Sequence, residues 1–278
     1  MIRDGDSAPP RRVLVALEAE AGAAALLEAA ASLAAELHAE LAGLFVEDSE
    51  LLAAANQPAT RTVPAQAVGR SASEAGSVRR GLKISAARAG EALAVAARRR
   101  QVKYSYRVAQ GALAELVLAE AGRSDLVALG SSSRALRQAC VTVTGCAVAA
   151  RAPCSVLLLQ GAGAGARPVV VVYDGAERAL VLGERLARIY QRPLLVLAAA
   201  ESEAAAAELA ARARDWQRRH HGRARVIEAI GDSVAEFRTA LEAQHPGILV
   251  LDPERGLAAR SGLETLLGEL RCSVFVAR

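Results

Sequence analysis

Short apolar stretches alternate with longer amphipathic stretches along almost the whole chain. The apolar stretches, such as Val169–Tyr173 (VVVVY), lack the every-second-residue alternation of a strand with one exposed face, so they indicate strands covered on both faces. The longer stretches have helical spacing, as where Leu26, Ala30, Leu33 and Leu37 recur at intervals of three or four residues. Strands that alternate with helices in this way predict a mostly parallel α/β sheet.

Each half of the chain is predicted to contain five strands and four helices. The predicted strands span 13–17, 40–46, 105–108, 125–130 and 155–159, then 169–173, 194–198, 225–229, 247–251 and 273–277. The predicted helices span 20–38, 77–100, 113–122 and 142–151, then 177–190, 203–220, 234–244 and 262–270. The pattern predicts two tandem doubly wound domains, a first half (11–160) and a second half (167–278), each with a five-stranded parallel sheet flanked by four helices.

The two halves contain similar segments in the same order, which indicates an internal duplication. RRVLVALE (Arg11–Glu18) corresponds to RPVVVVYD (Arg167–Asp174), and APCSVLLL at the end of the first half corresponds to LRCSVFVA at the end of the second. A glycine-rich linker, Gln160–Pro168, joins the halves. The first half also holds an insertion, Asn56–Ser77, whose Pro, Ser, Thr and Gly content predicts a mobile loop followed by the start of a helix.

The net charge of +4 and the pI near 9.1 do not indicate a nucleic-acid-binding surface. Only Lys83 and Lys103 are lysines, acidic residues interleave with the arginines, and an aromatic content of 3% leaves few rings to stack on bases. The first residues show no secretory signal, and the longest apolar runs fall far short of the roughly 20 residues that cross a membrane. We therefore expect a cytoplasmic protein with neither nucleic-acid nor membrane partners.

No catalytic or metal-binding constellation is visible in the sequence. The nucleophile elbow G-x-S-x-G is absent, and His220 and His221 are adjacent, so they face different sides of a helix. The four cysteines lack C-x-x-C spacing and lie in apolar surroundings, which predicts buried thiols in a reducing compartment. We expect no enzymatic activity, no catalytic residue and no bound metal.

Several weak features in a characteristic order resemble the universal stress protein family in its tandem form, over nearly the whole chain. They are a first strand ending in an acidic residue (Glu18, Asp174), a glycine after the third strand, LVALG closing the fourth, and a helix that runs through APC into an apolar strand. The resemblance implies an adenine nucleotide α-hydrolase-like fold and a non-enzymatic regulatory or interaction module. It also implies that the two CSV edges pair, so that the chain forms its own pseudo-dimer, with a homodimer as a further form of self-association.

Some members of this family bind ATP through G-x-x-G, a later G-[ST] and an aspartate at the end of the first strand. This chain departs from that pattern: Ser133 and Glu18 replace a glycine and the aspartate in the first half, and Asp252 and Arg255 replace both glycines in the second. We therefore expect no cofactor, with ATP in the first half as the alternative. By resemblance, the nucleotide would contact Leu17, Glu18, Val46, Gly130, Ser131, Ser133, Thr142, Val143 and Thr144.

Three classes of function remain open at this point. The first is a regulatory or interaction module, and the second is an ATP sensor that uses only the first half. The third is a nucleotide-using enzyme on the same scaffold, which would need a glycine- and serine-rich loop directly after the first strand, where this chain has EAEAGAAA (Glu18–Ala25).

Overall fold

The computed structural model of the chain describes residues 10–18, 23–47, 68–122, 125–130, 143–160, 167–231 and 233–278. Ala23, residues 68–78, Val143 and Leu257 are described by their backbone alone. Strands and helices alternate along these residues, and most strand pairs are parallel, which confirms the α/β class.

The strands of the described residues form a single ten-stranded sheet. They are β1 (Arg12–Leu17), β2 (Glu40–Glu47), β3 (Tyr104–Gln110), β4 (Asp125–Gly130), β5 (Ser155–Leu159), β6 (Val169–Tyr173), β7 (Leu194–Ala200), β8 (Arg225–Ile230), β9 (Ile248–Leu251) and β10 (Ser273–Val276). Their order across the sheet is β3-β2-β1-β4-β5-β10-β9-β6-β7-β8. Neighbours are parallel except for β5 and β10, which are antiparallel. The order of the last five strands is therefore the mirror image of the order of the first five.

Helices cover both faces of the sheet. In the described residues they are α1 (Ala23–Leu37), α2 (Val68–Arg99), α3 (Leu113–Glu120), α4 (Val143–Arg151), α5 (Glu177–Ile189), α6 (Glu203–His220), α7 (Val234–Glu242), α8 (Gly256–Ser261) and α9 (Leu263–Glu269). Helices α1, α2, α5 and α6 pack on one face around residues such as Phe45 and Trp216. The others pack on the opposite face around residues such as Phe237 and Val274. Burial on both faces is the reason that the central strands are apolar without alternation.

No helix in the described part of the chain combines the length and the apolar character needed to cross a membrane.

The two predicted five-stranded sheets are not separate: β5 and β10 pair, as the resemblance implies for the two CSV edges, and join all the strands of the described residues into one sheet. Val156–Leu158 lies opposite Val274–Val276 in antiparallel register. Both segments are buried, with at most 3% of any residue exposed. An unpaired apolar edge strand would offer free backbone donors and acceptors to other chains, so pairing the two edges is the stable arrangement.

The serines of the two CSV segments have reciprocal roles in this joint. The Ser273 hydroxyl accepts a hydrogen bond from the backbone N–H of Gln160, which follows β5 (3.1 Å). The Ser155 hydroxyl accepts one from the backbone N–H of Arg278 (3.0 Å) and donates one to the Arg278 carbonyl (3.1 Å). Each serine thus satisfies backbone groups just beyond the end of the partner strand, where the ladder stops.

Two helices differ from the prediction. The insertion is predicted as a loop followed by the start of a helix, and helix α2 begins at Val68, before the predicted start at residue 77, while residues 56–67 lie outside the described residues. The glycines and serines of this stretch suggest a loop. Each glycine lowers the stability of a helix by only about 1 kcal/mol relative to alanine, so a helix can still form there. Helix α8 is absent from the prediction, because Pro253 and Gly256 indicate a turn, and Gly256, the first residue of this short helix, has a left-handed φ of 54°.

Candidate functional site

The residues predicted to contact a nucleotide in the first half lie along the carboxyl edge of the sheet. Leu17 ends β1, Val46 is the last residue but one of β2, and Gly130 ends β4. These strands are adjacent and parallel, with Leu17 opposite Phe45, so their carboxyl ends lie at one edge. Ligands of doubly wound sheets bind at such an edge.

The side chains of Leu17 and Val46 belong to the core, with 2% and 3% of their surface exposed. Only their backbone groups could therefore contact a ligand. Gly130 is half-buried, and a Cβ placed on it would lie 3.2 Å from Cδ2 of Leu26 on α1. Glu18 directly follows β1 and is half-buried at the same edge.

Val143 and Thr144 are the first two residues of α4. This helix runs back from the end of β4 to the start of β5, and because β4 and β5 are parallel its first turn lies at the carboxyl edge. Thr144 is half-buried there. Ser131, Ser133 and Thr142 lie outside the described residues.

The corresponding edge of the second half is occupied by an ion pair. Asp252 follows β9, and its carboxylate accepts two hydrogen bonds from Arg178 on α5, from Nε to Oδ2 (2.6 Å) and from Nη2 to Oδ1 (2.7 Å). The backbone N–H of Glu254 donates a third to Oδ1 (2.9 Å). The Asp252 side chain has no exposed surface, whereas 41% of the Arg178 side chain is exposed.

Asp174, at the end of β6, is a second carboxylate beside this pair. Burial and the charge of Asp252 raise the pKa of Asp174, and the backbone amide of Ala176 acts in the opposite direction. Its buried Oδ1 has no hydrogen-bond partner among the described residues. Its Oδ2 faces Gly256, where an added Cβ would lie only 2.8 Å away, so the start of α8 requires a glycine.

Sequence reasoning missed Arg178. Asp252 draws attention by replacing a glycine, but nothing in the motif connects it to a residue 74 positions away. The available signal is topological. If β6 and β9 are neighbours, the first turn of the helix after β6 lies next to the residue that follows β9.

Other groups capable of chemistry are buried or scattered. Cys146, Cys154 and Cys272 are buried, as predicted, while Cys140 lies outside the described residues. Burial raises the pKa of the Cys154 thiol to about 11, so at neutral pH it is protonated and weakly nucleophilic. Within the described ranges, no group of three or more His, Cys, Asp or Glu side chains could hold a metal ion.

The mostly parallel sheet with helices on both faces defines a doubly wound α/β protein. The model of the universal stress protein family matches residues 10–160, which is more than half of the chain. The chain therefore belongs to the universal stress protein family. No curated protein sequence matches it.

Several solved structures are similar over the whole chain. A universal stress protein from Archaeoglobus fulgidus DSM 4304 is 12% identical, with a TM-score of 0.62 over 96% of each chain. A putative universal stress protein from Pseudomonas aeruginosa UCBPP-PA14 is 17% identical, with a TM-score of 0.60 over 98% of this chain and 95% of that one. A functionally unknown protein from Pseudomonas aeruginosa PAO1 is also 17% identical, with a TM-score of 0.60 over 99% and 94%. At these identities the similarity concerns the fold alone.

Proposed function

We propose that this chain is a tandem universal stress protein, with residues 11–160 and 167–278 as two copies of one five-stranded unit. The mirrored strand order about β5 and β10 supports this proposal. The reciprocal hydrogen bonds of Ser155 and Ser273 support it further. Each serine begins the last strand of its own unit and accepts a hydrogen bond from the backbone N–H that lies beyond the last strand of the other unit. The joint would be an internal pseudo-dimer, made once within a single chain.

The proposed role is that of a non-enzymatic regulatory or interaction module in the cytoplasm, whose partners are other proteins or a second copy of the chain. The observation that carries this role is the Asp252–Arg178 pair, which fills the carboxyl edge of the second half with the chain's own charges. A buried carboxylate at that position repels phosphates.

A second candidate function is an ATP sensor that uses the first half alone. It is favoured by a specific difference between the halves. Where the second half has the Asp252 carboxylate, the first half has Gly130, which has no side chain and leaves its backbone accessible at the edge. Approach of backbone amides to phosphate is the use of glycine at such positions.

Calorimetric titration of the full chain with ATP, together with an ATP-turnover assay on homogeneous protein, separates these candidates. The matched variants are Gly130→Asp and Gly130→Ala, which place the same Cβ near Leu26 and differ in charge. Binding that survives Gly130→Ala and is abolished by Gly130→Asp would establish the sensor. If the unmodified chain does not bind ATP, the sensor is excluded and the regulatory or interaction module is supported. Turnover of ATP that persists through purification would contradict both and restore the enzyme hypothesis.

A further inference from the structure

The donors that surround Asp252 have the geometry of an anion receptor. Arg178 presents two parallel N–H groups to one carboxylate, at 2.6 and 2.7 Å, and the Glu254 backbone N–H adds a third donor at 2.9 Å. A guanidinium fork of this kind fits carboxylates and phosphates equally well, because both offer two oxygens at similar spacing.

The location of this receptor is that of a ligand site. It lies at the carboxyl ends of the adjacent parallel strands β6 and β9. A small cleft opens beside it, lined by Asp174, Asp252 and Arg255 together with apolar side chains such as Phe237. The anion that these donors bind is the chain's own Asp252 carboxylate, which is fully buried, whereas 41% of the Arg178 side chain is exposed.

We infer that Arg178 and the Glu254 amide form a latent anion site whose permanent occupant is the Asp252 carboxylate. The contact is autoinhibitory, since it excludes phosphate-bearing ligands from the second half by occupying their place. The inference does not depend on whether the first half binds ATP.

Three arginines (Arg178, Arg255 and Arg278) and two carboxylates (Asp174 and Glu254) remain near the site once Asp252 is removed, so the local charge is positive. Arg255 acts electrostatically on Asp174, and Arg278 interacts with both Asp252 and Arg178. The Glu254 carboxylate also lies near Arg178, with Oε2 3.4 Å from Nη2, but it is 71% exposed and therefore well screened.

The chain contains a matched control at the amino ends of β1 and β4, which the antiparallel β5–β10 pair places on the same edge of the sheet as Asp252. Arg12 donates to Asp125 through Nε (3.3 Å) and Nη2 (2.6 Å), and the backbone N–H of Gly122 donates to the same carboxylate (2.8 Å). The donor set is the same, but Arg12 has two further carboxylates near it, Glu40 and the mostly buried Glu120 (24% exposed), whereas the further carboxylate near Arg178, that of Glu254, is 71% exposed. Removal of Asp125 should therefore destabilise the chain without creating an anion site.

The test is thermal unfolding of full-length variants with and without 10 mM tripolyphosphate, against sodium chloride of equal ionic strength. Asp252→Gly should lower Tm in salt alone, since the Arg178 guanidinium loses its buried partner and keeps only the exposed Glu254 carboxylate. Tripolyphosphate should then raise the Tm of this variant by about 3 °C more than it raises that of the unmodified chain. Addition of Arg178→Gln should abolish the extra shift. Asp252→Ser, which keeps a hydroxyl for the Glu254 amide, is the alternative if the glycine variant is too unstable.

Each possible outcome of this test either supports or overturns the inference. An extra shift in the Asp252 variants that depends on Arg178 supports a latent anion site. The inference is overturned by the absence of an extra shift, by an equal shift in Asp125→Gly, or by variants at Asp252 that stay unfolded in tripolyphosphate. None of these results bears on ATP binding at Gly130, so failure here is distinguishable from failure of the proposed function.

Discussion

The joint between β5 and β10 yields a quantitative prediction through its two serines. Ser155→Ala removes the acceptor of the Arg278 N–H and the donor to the Arg278 carbonyl, and Ser273→Ala removes the acceptor of the Gln160 N–H. Neither substitution adds volume or changes a charge. The perturbation is therefore limited to the hydrogen bonds that close the two ends of the paired strands.

The magnitude follows from burial. A fully buried donor left without a partner costs about 1–3 kcal/mol. Gln160 and Arg278 are only half-buried, so water can replace part of each lost bond, and we expect about 1 kcal/mol per substitution. The serines close opposite ends of the joint and share no partner, so the double variant should lose about 2 kcal/mol. For a chain of this length that corresponds to roughly 4–8 °C in Tm.

Urea unfolding monitored by circular dichroism measures these free energies directly. Ser105→Ala is the control, because Ser105 is an exposed serine whose hydroxyl donates to Glu40 on the surface. The control should stay within about 0.5 kcal/mol of the unmodified chain. If the Ser155 and Ser273 variants are as stable as the control, the serines do not hold the joint and the reasoning is refuted.

Two further predictions concern close packing and charge in the second half. Gly183→Ala would place a Cβ 2.1 Å from Cγ2 of Val171, so we expect the free energy of unfolding in urea to fall by about 3 kcal/mol. Adding Val171→Ala should recover most of this loss. A loss below about 1 kcal/mol would contradict this contact. Burial and the charge of Asp252 raise the pKa of Asp174, so the folded chain keeps this proton to higher pH than the unfolded chain, and stability falls as pH rises through that interval. Asp174→Asn should therefore stabilise the chain at pH 7 by about 1 kcal/mol, a value that allows for partial exposure of the carboxyl group. The gain should become smaller toward about pH 4, where Asp174 is protonated in the folded chain. A gain in stability that does not depend on pH would exclude the charge as its cause.

The sequence was informative wherever a local signal was strong. Helix α6 begins and ends at the predicted residues, because Ser202 accepts from the Ala205 N–H at its start and His221, with φ of 55°, ends it. The strands were identifiable from their unbroken apolar character, since both faces of the sheet are covered. These features depend on a few neighbouring residues, which is why a single sequence contains them.

The remaining features depend on residues that only the tertiary structure brings together. The single sheet follows from pairing β5 with β10, which lie more than 100 residues apart. The residues themselves show two similar edges, and only the family resemblance implies that these edges meet. The Asp252–Arg178 pair likewise requires β6 and β9 to be neighbours. For the first-half site, the sequence located Leu17, Val46 and Gly130 at strand ends, but not that two of these side chains are buried in the core.

Native-state hydrogen exchange of the full chain tests most directly whether its two halves form one continuous sheet through β5 and β10. We predict that amides in Val156–Leu158 and Val274–Val276 open with the same free energy as those of the buried central strands β1 and β6, because all belong to one sheet and one pair of core layers. Rapid exchange of the β5 and β10 amides, with β1 and β6 still protected, would contradict a continuous sheet and leave two units joined only by their linker.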